Sequence, residues 1–275
     1  MFALGSKVRR VKEARFIVGE CAADRRSQAA LMTCYASILR DVTDRKEVDF
    51  RISLSGRVFP FTMRRSDIFT LGEILHEQQY RLASYVPNNP TIIDAGANIG
   101  VTALWFLWQY PGATIHAFEP EPDNFRLLQA NFGSHPQVVL NQAGLGAQVG
   151  RLQLHLGEHG AVHSFFGEGG RSLDVQVLTL ADYVEKHQIA CVDVLKLDVE
   201  GSELDVLKGL GEALSRVQVI VGEVHERVVD QRAFYEYLRE HGFVVVRRID
   251  FIDGEHEGVH GFEAVKQSAR AVARP

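Results

Sequence analysis

The stretch TIIDAGANIG, Thr91–Gly100, decides the fold of this chain. Its first half, TIIDA, is a short apolar run that reaches an acid, and it predicts a buried strand. Its second half contains two glycines and an asparagine, which predict a tight turn. The text IGVTALWFLWQY then predicts a helix. Strand, tight turn and helix in this order form the mouth of a nucleotide site in α/β proteins.

The same alternation of strands and helices continues along the chain after Pro90. Further strands are predicted for ATIHAFEP, QVVLNQA, CVDVLKLDV and VQVIVGEV, helices for PDNFRLLQANF, SELDVLKGL and QRAFYEYLREHG, and two closing strands for FVVVRRI and HGFEAVK. Because the strands are continuously apolar, they predict an α/β fold with a buried, mainly parallel sheet flanked by helices. The site of such a sheet lies at the carboxyl ends of its strands.

The chain before Pro90 has a different pattern. Apolar residues at helical spacing behind a capping aspartate predict a helix over Asp24–Arg40. Two alternating runs that flank Ser55 and Gly56 predict a β-hairpin. The text SDIFTLGEILHEQQYRLASYV predicts a second helix, which ends before the breaker PNNP.

These patterns divide the chain into three parts. Residues 1–86 form a helical and hairpin extension, residues 87–267 form the main α/β domain, and residues 268–275 form a tail. We expect the extension to act as a lid over the site or as the contact of a homodimer.

Composition limits the classes of protein that fit. The chain has 275 residues, of which 46% are hydrophobic and 24% charged, and this is typical of a globular protein. A net charge of -5 disfavours nucleic acid as the main partner, and no apolar run is long enough for a membrane span. The three cysteines indicate neither a disulfide framework nor a zinc site, so a cytoplasmic location is the default. We expect Cys191 to be a small core residue.

The glycine turn does not match the dinucleotide fingerprint G-x-G-x-x-G. If the fingerprint starts at Gly96, Asn98 and Val101 occupy its second and third glycine positions. The second glycine lets the backbone approach a pyrophosphate, and the side chain of Asn98 obstructs that approach. Asparagine tolerates left-handed backbone angles, so the turn itself can form. The turn therefore favours a nucleoside without a pyrophosphate over NAD, although an NAD-dependent oxidoreductase and a non-catalytic cofactor-binding module stay open as alternatives.

Glu119, at the end of the next predicted strand, gives the second indication of the ligand. A carboxylate there can accept hydrogen bonds from both ribose hydroxyls, and it rejects a 2′-phosphate. The helix that opens near Ile99 offers free amide groups, which suit a carboxylate. A nucleoside with free ribose hydroxyls and an amino-acid carboxylate describes S-adenosylmethionine. In the alternative interpretation the glycines only make a turn and Glu119 caps a helix.

Four motifs together resemble the FkbM-type family of S-adenosylmethionine-dependent methyltransferases: IIDAGANIG, HAFEPEPDNFRLLQANF, VLTLADYV and VLKLDVEGSELDVLKG. The resemblance covers roughly Asp67–Val246. It implies a Rossmann-like class I methyltransferase domain and methyl transfer to a hydroxyl oxygen of a sugar, lipid or secondary metabolite. It also implies that Asp198 and Glu200 lie at the reaction centre. The cofactor-binding residues predicted from motif position are Asp94, Gly96, Ala97, Asn98, Gly100, Glu119, Pro120 and Ala143.

The motif LKLDVEGSE ends a second buried strand. If the strand continues through it, Lys196, Asp198 and Glu200 share one face, because side chains alternate along a strand. Acids at the end of an apolar strand are costly unless they are hydrogen-bonded or used in function. Ser202 and Asp205 then predict a capping box for the next helix.

The strand VQVIVGEV leads directly into His225, which we predict to be a general base because an ordinary imidazole titrates near neutrality. Asp198, Glu200 and His225 are the predicted catalytic residues. Together with Glu223 they could instead hold magnesium or manganese. We regard that as the less favoured role and assign no metal ligand.

Two segments are predicted to cover the site: the glycine-rich segment 157–170 and the helix Asp67–Tyr80. Tyr80 either faces the pocket or packs in the core. His155, His159 and His163 stand four apart, which on a helix would form a metal-binding face. The surrounding glycines and the alternating pattern argue against a helix there.

Overall fold

The N-terminal part of the chain forms helices around one hairpin in the computed structural model, which describes residues 4–156, 163–164, 172–250 and 258–267. The elements are α1 (Leu4–Phe16), α2 (Arg25–Ile38), β1 (Glu47–Leu54), β2 (Arg57–Arg64) and α3 (Ile68–Leu75). The carboxylate of Asp24 accepts a hydrogen bond from the amide of Ser27 and caps α2, as predicted. The hairpin turns at Ser55 and Gly56, which both have positive φ, as two-residue hairpin turns require.

The rest of the chain alternates strands and helices. In chain order the elements are β3 (Thr91–Ala95), α4 (Val101–Gln109), β4 (Thr114–Phe118), α5 (Pro122–Phe132), β5 (Val138–Asn141), β6 (Gly144–Leu145), β7 (Gly150–Leu156), β8 (His163–Ser164), β9 (Ser172–Leu178), α6 (Leu180–Lys186), β10 (Val192–Leu197), α7 (Glu203–Leu210), β11 (Val217–His225), α8 (Gln231–Glu240), β12 (Phe243–Asp250) and β13 (Val259–Lys266).

Within the described ranges, the main sheet has seven strands in the order β12-β13-β11-β10-β3-β4-β5. The five strands from β11 to β5 run parallel, and β13 lies antiparallel to both β11 and β12. The predicted α/β fold with a mainly parallel sheet is therefore confirmed. This order places the carboxyl ends of β4, β3, β10 and β11 next to one another, and that edge carries the site.

Both faces of the sheet are buried in apolar cores. Ile92 and Val194 point into one core, and their chain neighbours Ile93 and Leu195 point into the other. The N-terminal extension shares the first of these cores, because Phe61 of β2 packs edge-on against Phe132 of α5, with ring centroids 6.2 Å apart. The division of the chain at residue 86 stays a prediction.

The predicted helix after the hairpin is wrong in its length. The helix α3 ends at Leu75, and Gln78 takes a left-handed φ of 56°. Beyond it, the chain to residue 86 runs without regular structure. The amides of Ala83 and Ser84 donate to the buried carboxylate of Glu263, at 2.9 Å each. A tertiary contact therefore replaces the helical hydrogen bonds that the periodicity suggested.

A second sheet, in the order β6-β9-β7-β8, was only partly predicted. Its strand β7 covers the start of the stretch whose alternating pattern argued against a helix, and it places His155 on a strand. Most of the predicted cover 157–170, including His159, lies outside the described residues. Cys191 is exposed rather than in the core, because β10 begins one residue later, at Val192. Among the described residues, no helix combines the length and apolarity needed to cross a bilayer.

Candidate active site

The turn after β3 is held in an unusual backbone conformation. Gly96, Asn98 and Gly100 have positive φ values of 80°, 50° and 95°. A Cβ at Gly96 would lie only 1.9 Å from the carbonyl oxygen of Asp198, so the turn packs directly on the end of β10. The amides of Gly96 and Ala97 both donate to the carbonyl of Phe118. The left-handed conformation expected at Asn98 is present.

Glu119 lies beside this turn with its carboxylate almost completely buried. One of its oxygens accepts from the amide of Asn98 at 2.8 Å, and the other accepts from the amide of Glu121 at 2.9 Å. Burial raises the pKa of Glu119 to about 7, although these backbone hydrogen bonds favour the ionised form. Oε1 also accepts from the side-chain amide of Asn124 at 3.5 Å, while Oε2 keeps a second lone pair with which to accept a further hydrogen bond.

A cavity opens between this turn and the ends of the neighbouring strands. Of the predicted cofactor-binding residues, five line it: Gly96, Asn98, Glu119, Pro120 and Ala143. The predicted catalytic residues Asp198 and Glu200 also line it, so the structure brings both groups to one place.

The other three predicted cofactor-binding residues lie behind the cavity wall. Asp94 and Ala97 are buried, and Gly100 packs against Leu128 and Phe132 at the start of α4. Their assignment to the cofactor site stays a prediction.

Lys196 connects the turn to β10 beneath the cavity. Its ammonium group donates to the carbonyl of Gly96 at 2.6 Å, and it lies 3.3 Å from Asp94 and 3.5 Å from Asp198. Among the residues that the structure describes, neither carboxylate oxygen of Asp94 has a partner with good hydrogen-bond geometry, and burial raises the pKa of Asp94. A buried carboxylate in this position favours a positively charged ligand group nearby.

The strand β10 ends at Leu197, before the two predicted catalytic acids. Glu200 has a left-handed φ of 52°, so the expected strand alternation of Lys196, Asp198 and Glu200 is wrong. Asp198 nevertheless stays beside Lys196, while Glu200 turns toward His225, whose Nε2 lies 3.1 Å from its carboxylate. The predicted capping box is also wrong, because the side chain of Ser202 makes no cap hydrogen bond.

His225 lies between two carboxylates at the end of β11. Its Nδ1 is 2.7 Å from Glu203, and its Nε2 faces Glu200. Burial alone would lower the pKa of His225, but the hydrogen bonds and charges of Glu200 and Glu203 raise it to about 12. The imidazole is therefore charged at neutral pH in this arrangement, and these contacts oppose the predicted role as a resting general base.

The carboxylate of Asp198, at the same end of the cavity, loses its proton more readily than an ordinary aspartate does. Burial raises its pKa, but the charges of Lys196 and His225 and a hydrogen bond from Tyr80 lower it below its ordinary value. The hydroxyl of Tyr80 donates to Asp198 at 3.0 Å, and the ring is buried. Tyr80 thus reaches the site from the segment after α3 while it also packs in the core.

Comparison with known proteins decides the family. The family profile described as "Methyltransferase FkbM domain" matches residues 94–245, which include both site motifs. The chain belongs to the FkbM methyltransferase family. The recognition and the enzyme class predicted from the sequence, an S-adenosylmethionine-dependent methyltransferase, are thereby confirmed.

Two characterised methyltransferases are similar in sequence to this FkbM-family methyltransferase. The 31-O-demethyl-FK506 methyltransferase FkbM of Streptomyces tacrolimicus is 31% identical over 193 residues, which cover 58% of this chain and 74% of the relative. The hexuronic acid methyltransferase AglP of Haloferax volcanii is 30% identical over 181 residues, which cover 64% of this chain and 74% of the relative.

One solved structure supports the fold. A methyltransferase FkbM from Methylobacillus flagellatus KT aligns with this FkbM-family methyltransferase at a TM-score of 0.50 and 15% identity. The alignment covers 86% of this chain and 59% of that one.

Several residues of the FkbM-family site were missed by sequence reasoning. Asn124 lines the cavity from the first turn of α5, and Leu154 reaches it from β7. Glu203 resembles an ordinary first-turn helix acid in the sequence, but it is fully buried against His225. Asn124 follows the HAFEP strand end by only a few residues, and this was the one signal that could have indicated it.

Proposed function

We propose that this FkbM-family methyltransferase transfers a methyl group to a hydroxyl oxygen of a small molecule, such as a sugar, lipid or secondary metabolite. The observation that carries the proposal is the ionised carboxylate of Asp198 at the wall of the cavity, beside the glycine turn. One of the two relatives is a 31-O-demethyl-FK506 methyltransferase, and the other is a hexuronic acid methyltransferase. Their names support a small-molecule acceptor, and the first supports an oxygen as the target atom.

The residues around the cavity suit S-adenosylmethionine. Glu119 can accept a hydrogen bond from a ribose hydroxyl, because its Oε2 keeps a lone pair after it accepts from the amide of Asn98. Asp94, whose oxygens lack well-formed hydrogen bonds, provides negative charge behind the turn for the cofactor's ammonium group. Pro120 and Ala143 provide apolar surface for the adenine ring. When bound, the cofactor supplies an electrophilic methyl group on a sulfonium sulfur.

Asp198 then acts on the acceptor. Its carboxylate would accept the proton of the acceptor hydroxyl while that oxygen takes the methyl group, which the bound cofactor would supply with its sulfur as the leaving group. Lys196 and Tyr80 hold the carboxylate in place from two sides. A site closed to water would favour this transfer, because the sulfonium charge would be lost as the methyl group leaves.

The experiment separates cofactor binding from chemistry. Calorimetry should show that the wild-type protein binds S-adenosylhomocysteine and not NAD. Asp198→Asn should keep this binding and lose at least about 100-fold in transfer of labelled methyl to a hydroxylated acceptor, in line with the usual contribution of a general base. The matched control Asp205→Asn removes a half-exposed acid on α7 and should change neither property. Binding of NAD in place of S-adenosylhomocysteine, or full transfer by Asp198→Asn, would contradict the proposal.

A further inference from the structure

Two side chains of the loop after β10 and one at the end of β11 bring metal-ligand atoms together at the edge of the cavity. Asp198, Glu200 and His225 each offer one oxygen or nitrogen, and these atoms lie within 4.8 Å of one another. Ligands of a small divalent cation, at about 2.1 Å from the metal, are separated by roughly 3–4 Å. Small side-chain rotations would therefore close the three groups around one ion.

A buried carboxylate orients the histidine for this purpose. An oxygen of Glu203 lies 2.7 Å from His225 Nδ1 and also accepts from the amide of Gly201 at 3.0 Å. The ring is thereby fixed with Nε2 toward Glu200, at 3.1 Å. Metal-binding histidines in proteins are oriented in this way, by a carboxylate on the nitrogen that does not bind the metal. The second oxygen of Glu203 is buried and has no hydrogen-bond partner within the described part of the chain.

The charge around these residues also favours a cation. Lys196 is shared between Asp94 and Asp198, so it neutralises only part of the negative charge at this sheet edge. Buried carboxylates without compensating positive charge are costly. The carboxylates that surround the site are Asp94, Asp198, Glu200, Glu203 and Glu223, and the cationic side chains seen beside them in the described part of the chain are Lys196 and His225.

We propose that Asp198, Glu200 and His225 bind one divalent cation, magnesium or manganese, with Glu203 as the residue that positions His225. Two carboxylates and one imidazole form a ligand set that suits these ions. The cation occupies the acceptor end of the cavity, a placement that rests on the proposed function. Binding of the cation releases the proton from Nε2 of His225, because a metal-binding imidazole must be neutral. The cation would hold the acceptor oxygen and lower the pKa of its hydroxyl group, and the carboxylate oxygen of Asp198 that does not bind the cation would accept the proton. The proposal replaces our sequence-based preference for no metal ligand.

Manganese binding tests the site without any need for turnover. The full-length protein is treated with EDTA, exchanged into metal-free buffer without cofactor, and titrated with Mn²⁺, while free Mn²⁺ is followed by electron paramagnetic resonance. We expect one Mn²⁺ per chain. Glu200→Gln and Glu203→Gln should each weaken binding at least about 10-fold, because a lost ligand or a lost orienting carboxylate has this effect. His187→Ala, which removes an exposed histidine at the end of α6, should bind as the wild type does.

Glu200→Gln carries most weight in this test because Glu200 is partly exposed, so this variant is the one expected to fold normally. Thermal unfolding confirms the fold of each variant. Saturable binding that Glu200→Gln weakens supports the proposal. A wild-type dissociation constant above about 1 mM, the weak end for hard cations in proteins, overturns it, as does unchanged binding by Glu200→Gln. Binding of S-adenosylhomocysteine to the metal-free protein is measured in parallel, so failure of the metal site can be distinguished from failure of the proposed cofactor site.

Discussion

Glu119 makes the stability of the ligand-free enzyme depend on pH. Its pKa of about 7 in the folded protein lies above the value of about 4.3 for an unfolded chain, because burial disfavours the charged form. The folded state therefore binds this proton more tightly. The resulting stabilisation is fully present below about pH 4 and is lost as the pH rises through 7.

We predict that the contribution of Glu119 to the free energy of unfolding falls by roughly 3 kcal/mol between pH 4 and pH 8. The free energy of unfolding is measured with urea at a series of pH values for the wild type and for Glu119→Gln, which lacks the titrating proton. The difference between the two proteins gives the contribution of Glu119. Asp123→Asn, an exposed neighbour on α5, should keep the wild-type profile. A profile for Glu119→Gln that is parallel to the wild type would show that other groups cause the pH dependence.

The glycine turn is the element on which the cofactor pocket depends. Gly96→Ala places a Cβ 1.9 Å from the carbonyl oxygen of Asp198 and forces alanine into a φ of +80°. Left-handed backbone alone costs about 1–2 kcal/mol, and the clash with the backbone adds to it. We predict a lower unfolding temperature and a loss of S-adenosylhomocysteine binding, measured by thermal unfolding and calorimetry.

Gly150→Ala is the matched control for this prediction. A Cβ at Gly150, the first residue of β7, meets nothing within 4 Å, and its backbone needs no positive φ. This variant should bind and unfold like the wild type. Normal binding by Gly96→Ala would mean that the turn can move away from β10 without harm to the pocket.

The segment 76–90 between α3 and β3, here called the strap, packs beside Asp198 and the proposed acceptor site. Tyr80 contacts Asp198, Gln79 contacts Glu223, and Glu263 receives the amides of Ala83 and Ser84. Glu263→Gln keeps one acceptor oxygen but points an amide group at the other backbone N–H. We predict faster hydrogen exchange at the amides of residues 83 and 84 and a lower kcat, since Tyr80 then holds Asp198 less firmly.

Hydrogen exchange followed by mass spectrometry measures the protection of the amides of residues 83 and 84. The control is Glu212→Gln, since Glu212 is exposed. Protection of the two amides that is equal in Glu263→Gln and the wild type would show that the strap is held by its other contacts.

The elements themselves could be predicted to different degrees. The helix α5 has the bounds of the predicted text PDNFRLLQANF, because its apolar period and its N-terminal proline are local signals. The end of α3 could not be predicted, since it depends on Glu263, which follows it by well over 100 residues in the chain. The second sheet could be predicted only in part because its strand β6 is two residues long, which is too short for a periodic pattern.

The position of the site could be predicted from the sequence, but the protonation states of its residues could not. Glu119 and Asp198 follow from strand ends, because parallel strands bring their carboxyl ends together. The charge of His225 does not follow from its residue type, because it is set by Glu200 and Glu203, which approach from another element. A pKa that depends on such contacts cannot be read from spacing along one strand.

At the scale of the whole molecule, the N-terminal extension is part of the main core rather than an attached cap. Phe61 of β2 contacts Phe132 of α5, and Arg64 of the same strand donates to Asn124 at 2.6 Å, beside the cavity. Both Phe61 and Arg64 are buried. The extension therefore supports the wall that carries Glu119, and we expect the two parts to unfold together.

We predict that Phe61→Ala lowers the free energy of unfolding by about 3–5 kcal/mol and weakens S-adenosylhomocysteine binding with it. Val58→Ala, on the same strand but 43% exposed, should cost little. Urea unfolding followed by circular dichroism and by the fluorescence of Trp105 and Trp108 on α4 should give one coincident transition. Two separate transitions, or a fragment 87–275 that folds and binds S-adenosylhomocysteine as the full chain does, would show that the extension is an independent unit. Loss of both properties in the fragment would instead mean that the cofactor pocket exists only because the hairpin completes the core beneath it.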